Sequence, residues 1–397
     1  MRVAMIAPPW LSIPPRGYGG IEVVLAGLIK GLVELGVEVE VFGAGNIDLD
    51  GCKIHRLFEE EQYHHFYNPM FESMPIVVAH VQNALNLIME DGHFDVVHDH
   101  NEHLGLFALD WVTKLAEFPP SIHTYHWFPF FSKTNSSDVL CDGDKYWAQY
   151  KGPSRALIVG VSHEQMKDAP HNLHDRLLDP VHNAVDVEQY KFEDNKKDYF
   201  LTLARFSHEK GQHIAVDLCV ELGYKLQMAG TCASIGNVED LMLELLNPES
   251  KFRRNADFRY YSDHVLPSTV RHKTIKNIGN VSGDKKRKVL SQAKALLFPV
   301  CWDEPFGLAV IEALASGTPV IAMNRGAMSE LIDHGVTGFL ANDKKEFGEY
   351  MQRVGEIDPH VCRDSVIERF SKQTMAKEYL KRYEQAIARD YVSSDRV

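Results

Sequence analysis

The stretch Ala295-Leu296-Leu297-Phe298-Pro299-Val300-Cys301-Trp302-Asp303-Glu304-Pro305-Phe306-Gly307-Leu308-Ala309-Val310-Ile311-Glu312-Ala313-Leu314-Ala315-Ser316-Gly317-Thr318-Pro319-Val320-Ile321-Ala322-Met323 decides the fold. Ala295–Val300 and Pro319–Met323 are short apolar runs that predict strands, and Pro305–Ser316 between them predicts a helix. Near-continuous apolar strands separated by a helix fit a parallel sheet buried on both faces.

The alternation extends in both directions. Upstream lie a strand over Tyr199–Ala204, a helix over Gly211–Leu222 closed by Gly223, a strand over Lys225–Ala229 and a helix over Asp284–Lys294; downstream, Gly338–Asn342 is a last short strand. The first half repeats the logic. Residues 2–7 form an apolar strand, a Pro/Gly loop runs from Pro8 to Gly20, and Ile21, Val24, Leu25, Leu28, Ile29, Leu32 and Leu35 recur at helical spacing before Gly36. Val37–Phe42, Phe94–Val97, Ser121–Thr124 and Ala156–Val161 are further strands. The expected fold is α/β, with two Rossmann-like domains over residues 1–187 and 188–370. A closing amphipathic helix in 371–397 is expected to cross back to the first domain. Asp179–Asp186, rich in turn residues, is the hinge candidate. Residues 59–75 and 247–275 show no clear period and are expected to be loop-rich.

Composition narrows the function. A chain of 397 residues, 45% hydrophobic and 24% charged, is globular and long enough for two cores. Its net charge of −13 resides in the first half, where residues 1–187 hold 12 Lys and Arg against 25 Asp and Glu. Such a surface repels nucleic acid and anionic lipid, so neither is expected as a partner. An anionic ligand should draw on the second half. The six cysteines are scattered, with no Cys-x-x-Cys pair, as in a reducing compartment. The start of the chain is too short for a signal peptide's apolar core, and no apolar run reaches the ~20 residues of a membrane span. A cytoplasmic location is expected.

Three stretches carry chemistry. In the first, Glu304 ends a loop after a strand and Pro305 suits a first helical position. The free N–H groups of Phe306, Gly307 and Leu308, with the helix dipole, would form an anion pocket. Glu312, eight residues after Glu304, could accept two hydrogen bonds from a vicinal diol such as a ribose. In the second, Arg205-Phe206-Ser207-His208-Glu209-Lys210-Gly211 follows a strand and opens a helix. Arg205 offers a fork to a phosphate and Lys210 a point charge. In the third, Gly19 and Gly20 open the first helix and could admit a phosphate or a sugar.

Together these stretches resemble the family-4 retaining glycosyltransferases of the GT-B fold, in which two such domains face a central cleft. The Glu304/Glu312 pair is similar to that family's E-x7-E signature. Asn183-Ala184-Val185-Asp186 resembles its interdomain Asn-Gly-Val-Asp, Gly326-Ala327-Met328-Ser329-Glu330 its Gly-Gly-x-x-Glu turn, and Thr124-Tyr125-His126 its first-domain histidine segment. The resemblance implies that Arg205 and Lys210 bind the diphosphate, Glu312 holds the ribose, Glu304 contacts the transferred sugar and His126 touches the donor sugar. It implies a UDP- or GDP-linked hexose as donor, retention of configuration, and no cofactor. No Asp-x-Asp pair stands directly at the end of a predicted strand, so no metal is expected to be needed.

Two rivals remain at this point. His98-Asp99-His100-Asn101-Glu102-His103 follows a strand and has the spacing of a metal-dependent hydrolase's zinc ligands. A sugar-nucleotide epimerase would use the same two domains. The acceptor is expected to be small and polar or a saccharide. Tyr125, Trp127, Phe128, Phe130 and Phe131 could stack on it or belong to a core.

Overall fold

A computed structural model describes residues 1–17, 19–65, 70–115, 117–126 and 155–394. Tyr18, Trp127, Phe128, Phe130 and Phe131 lie outside the described residues. The chain divides into two compact units. Of the described residues, one unit takes those up to Asp186 together with those from Phe370, and the other takes those from Val187 to Arg369.

The first unit holds a sheet of β1 (Arg2–Ile6), β2 (Glu38–Ala44), β3 (Lys53–Phe58), β4 (Val96–Asp99), β5 (Ser121–Tyr125) and β6 (Ala156–Gly160), in the order β3-β2-β1-β4-β5-β6. The second holds β7 (Phe200–Leu203), β8 (Leu226–Ala229), β9 (Ile275–Asn277), β10 (Ala295–Phe298), β11 (Val320–Met323) and β12 (Gly338–Ala341), in the order β12-β11-β10-β7-β8-β9. Every pairing is parallel. Both sheets have the doubly wound order, whose direction of winding reverses between the first and fourth strands of the unit. Those strands are β1 and β4 in one unit, β7 and β10 in the other, and their central residues are fully buried. Ligands of such sheets bind beyond the carboxyl ends of these strands.

The C-terminal helix Lys372–Ser394 belongs to the first unit and lies along the helix Gly20–Glu34. Gly31 permits this approach. A Cβ added there would collide with the Lys372 carbonyl and meet the Ala376 Cβ at 2.9 Å. Asp186 clamps the same helix, with Lys30 Nζ at 2.9 Å and Lys372 Nζ at 3.4 Å from its Oδ2. Further along, Tyr379 and Tyr383 are buried beneath β4 and β5.

Several elements differ from the sequence reading. The strand β3 and the helix Met70–Asp91 had no clear signal, because β3 is only half-buried and the helix carries Pro75 in its second turn. Residues 247–275 are not loop-rich. They form successive short helical pieces, Lys251–Arg254, Ala256–Tyr260, Tyr261–Val265 and Leu266–Arg271. The helix expected from Pro305 begins at Leu308, because Gly307 at φ 104° breaks the helical path.

Valine at Gly31 should destabilise the protein by about 1–3 kcal/mol, the usual cost of overpacking a tight contact. Gly355→Ala, at a site with open space around it, should change stability by less than ~0.5 kcal/mol. Urea unfolding of both variants measures this; equal stabilities would contradict the packing role of Gly31.

Candidate active site

In the second unit, the loops after β7 and β10 meet backbone to backbone. The Cys301 N–H donates to the Glu209 carbonyl at 2.7 Å, and a Cβ on Gly211 would collide with the Pro299 carbonyl. The loop after β11 closes on the same place. The Ala327 N–H donates to the Glu304 carbonyl at 2.9 Å, and a Cβ on Gly326 would strike the Glu304 backbone. Gly211 at φ 68° and Gly326 at φ 55° also hold a left-handed backbone that L side chains rarely adopt.

These contacts bring Lys210 and Glu304 together. Lys210 Nζ donates to Glu304 Oε2 at 2.5 Å, and the Trp302 indole Nε1–H donates to the same oxygen at 2.9 Å. Lys210 Nζ also sits 5.0 Å from the centre of the Trp302 ring. Arg205 turns instead to Asp257, with NH1 at 2.6 Å from Oδ2. The two expected phosphate cations are thus each paired with a carboxylate of the chain itself. Burial pushes the Asp257 carboxyl up from its ordinary value, while Arg205 acts in the opposite direction.

Glu312 lies on the helix Leu308–Ala315 and is almost fully buried. Its Oε1 accepts from the Tyr190 hydroxyl at 2.8 Å and from Lys286 Nζ at 2.5 Å. Among the described residues Oε2 accepts nothing. Lys286, Tyr190, Trp302 and Asp257 were not anticipated from the sequence. Lys286 stands in the basic run Lys285–Lys288, but it is four residues before the buried Leu290 and so shares its inward helix face.

In the first unit Gly20 opens the helix Gly20–Glu34, and Gly19 leaves room for the Pro15 ring and the Glu22 carboxylate. Burial pushes the Glu22 carboxyl up to about 7. At the carboxyl end of β4, His98 Nδ1 pairs with the Tyr383 hydroxyl at 2.8 Å and Nε2 with Thr124 Oγ1 at 2.7 Å. His100 Nδ1 pairs with His126 Nε2 at 2.8 Å. His123 Nδ1 meets Asp99 Oδ2 at 2.7 Å. The ring nitrogens of His98 and His100 are therefore committed to neighbours, not aimed at a common point. Among the described residues no group of three or more His, Cys, Asp or Glu is arranged to hold a metal ion.

Two family models match the chain: "Glycosyltransferase Family 4" over residues 18–189 and "Glycosyl transferases group 1" over residues 186–364. The chain belongs to the GT-B glycosyltransferases. An uncharacterised glycosyltransferase of Methanocaldococcus jannaschii is 23% identical over 98% of this chain and 99% of its own length. Among solved structures, sucrose-phosphate synthase of Thermosynechococcus elongatus superposes with a TM-score of 0.72 at 17% identity, covering 98% of this chain and 99% of that one. The Anabaena protein HepE, in complex with UDP and glucose, gives 0.63 at 15% identity, covering 97% and 100%. The hydrolase and epimerase readings find no support in these relatives. Among the glycosyltransferase's described residues no helix is long and apolar enough to cross a membrane.

Burial governs the titration of five histidines of the first unit. It pushes His80 and His103 down to about 4 and His126 to about 3, and holds His98 and His100 well below the ordinary imidazole value of 6.5. Below about pH 6.5 the unfolded chain takes up protons at these imidazoles and the folded chain does not. Their contribution is therefore complete above pH 6.5 and is lost as the pH falls toward 4 and then 3. Glu22 and Glu102, pushed up by burial, act with the opposite sign but are outnumbered. Each net proton taken up on unfolding costs about 1.4 kcal/mol per pH unit. The melting temperature should fall steadily from pH 7 to pH 5; a flat or rising profile would contradict the buried, neutral imidazoles.

Proposed function

We propose that this glycosyltransferase moves a hexosyl group from a UDP- or GDP-linked donor to a hydroxyl of a small polar or saccharide acceptor, with retention of anomeric configuration. The observation that carries this reading is the Lys210–Glu304–Trp302 cluster with Glu312 nearby in sequence, set beyond the carboxyl ends of β7 and β10. HepE, crystallised with UDP and glucose, supports a nucleotide-sugar donor for the fold.

Lys210 and Arg205 take the diphosphate, leaving Asp257 and Glu304 as their partners in the free chain. The N–H groups of Phe306, Gly307 and Leu308 face the developing anion. Glu312 receives the ribose through Oε2, while Tyr190 and Lys286 hold Oε1. Glu304, released from Lys210, meets the transferred sugar, which His126 also contacts; Gly19 and Gly20 leave room for a sugar or phosphate. The bond from the anomeric carbon to the phosphate oxygen breaks and the bond to the acceptor oxygen forms on the same face. The acceptor's proton passes to the leaving phosphate. Fixed cations and backbone N–H groups stabilise that dianion in place of a metal ion.

Two experiments test the reading. Transfer, or slow donor hydrolysis, should survive EDTA; loss with recovery on adding Mn²⁺ or Zn²⁺ would contradict metal independence. Calorimetry with the bare nucleoside diphosphate should show Glu312→Ala weakened by about 1.5–3 kcal/mol, the worth of a hydrogen bond to a charged acceptor. Glu304→Gln should bind it as well as or better than the parent, because the internal partner of Lys210 loses its negative charge, while turnover of the sugar nucleotide falls. Equal losses of nucleotide affinity would overturn the assignment.

A further inference from the structure

We propose that Met5, acting through His100, fixes the tautomer of His126, so that His126 Nε2 carries the proton and Nδ1 presents a lone pair to the ligand.

His100 follows β4 and lies beside β1, where Met5 pairs with His98. Its two ring nitrogens have fixed neighbours: Nδ1 is 2.8 Å from His126 Nε2, and Nε2 is 3.1 Å from the Met5 sulfur. A neutral imidazole has one N–H and one lone pair. Burial keeps both histidines neutral, since His126 is pushed down to about 3 and His100 lies well below its ordinary value. Two arrangements then satisfy the bond between the rings. In one, His100 Nδ1–H donates to His126, which points the His100 Nε2 lone pair at sulfur lone pairs in a buried place. In the other, His100 Nε2–H donates to the sulfur, and His126 Nε2–H donates to His100 Nδ1. A thioether has no hydrogen to give. Only the second arrangement leaves no buried acceptor unpaired.

His98 secures this choice. Its ring packs on His100 with centroids 4.0 Å apart, yet its nitrogens are taken by Tyr383 and Thr124. It therefore offers His100 no competing donor. His126 is half-buried, and among the described residues its Nδ1 takes no hydrogen bond. His126 thus accepts from a ligand hydroxyl and does not donate to a ligand oxygen. His100 and Met5 are positioning residues. The consequence for turnover rests on the proposed contact between His126 and the donor sugar; the tautomer itself does not.

The test is a two-bond 1H–15N correlation on the full chain labelled with 15N-histidine, with the His126 signals assigned by their loss in His126→Gln. The expected result at pH 7.5 is a protonated Nε2 and an unprotonated Nδ1 for His126. Met5→Leu should convert this to a mixture. His100→Asn, whose side-chain oxygen can accept from His126 Nε2, should keep the tautomer, and His100→Leu should lose it. In parallel, kcat/KM for the donor should fall about tenfold in Met5→Leu and His100→Leu, the loss of roughly one hydrogen bond, and recover in His100→Asn, with the affinity for bare nucleoside diphosphate unchanged. A wild-type His126 protonated at Nδ1, or a tautomer indifferent to Met5→Leu, overturns the proposal. A locked tautomer released by Met5→Leu with turnover unchanged upholds it and overturns only the placement of His126 at the donor sugar.

Discussion

The direct contact of three loop backbones at the carboxyl end of the second sheet is the constraint on which the site depends. Gly211 lies against the Pro299 carbonyl and Gly326 against the Glu304 backbone, with no room for a side chain at either place. Because of that contact, Lys210 from the β7 loop and Glu304 from the β10 loop meet within one hydrogen bond. The doubly wound strand order makes β7 and β10 neighbours whose following chains turn to opposite faces, which opens the space the loops fill.

The two units manage charge in different ways. In the second, the cations are held ready by carboxylates of the same chain, so the ligand-free site carries little unbalanced charge. On the proposed reading, a diphosphate would replace Glu304 on Lys210 and Asp257 on Arg205, exchanging one charge-assisted bond for another. In the first unit, burial holds His98, His100 and His126 below the ordinary imidazole value, while His98 bonds Tyr383 and Thr124 and His100 bonds His126. Tyr383 and Tyr379 reach them from the C-terminal helix, so the last helix of the chain completes the polar interior of the first sheet.

Much of this was legible in the sequence. The strands of both sheet centres are buried on both faces and so are continuously apolar, as at Val3–Ile6 and Ala295–Phe298. The Glu304 and Glu312 stretch follows such a strand and announced its own place. What escaped had physical reasons. The half-buried β3 lacks an apolar run, and the helix Met70–Asp91 carries a proline in its second turn. The pieces between Lys251 and Arg271 are each too short to show a period. Tyr190, Asp257 and Tyr383 reach their partners across long sequence separations, which no local pattern reveals. Lys286 was hidden among neighbouring lysines, although the buried Leu290 one turn on marks its face.

The most direct test of the account is hydrogen–deuterium exchange on the intact chain, with and without UDP, GDP or ADP at saturation. Protection should concentrate in three segments of the second unit: residues 204–211, 300–312 and 324–330. Protection confined to the His98–His103 segment, or none with any nucleoside diphosphate, would contradict the assignment of this sheet end as the nucleotide site.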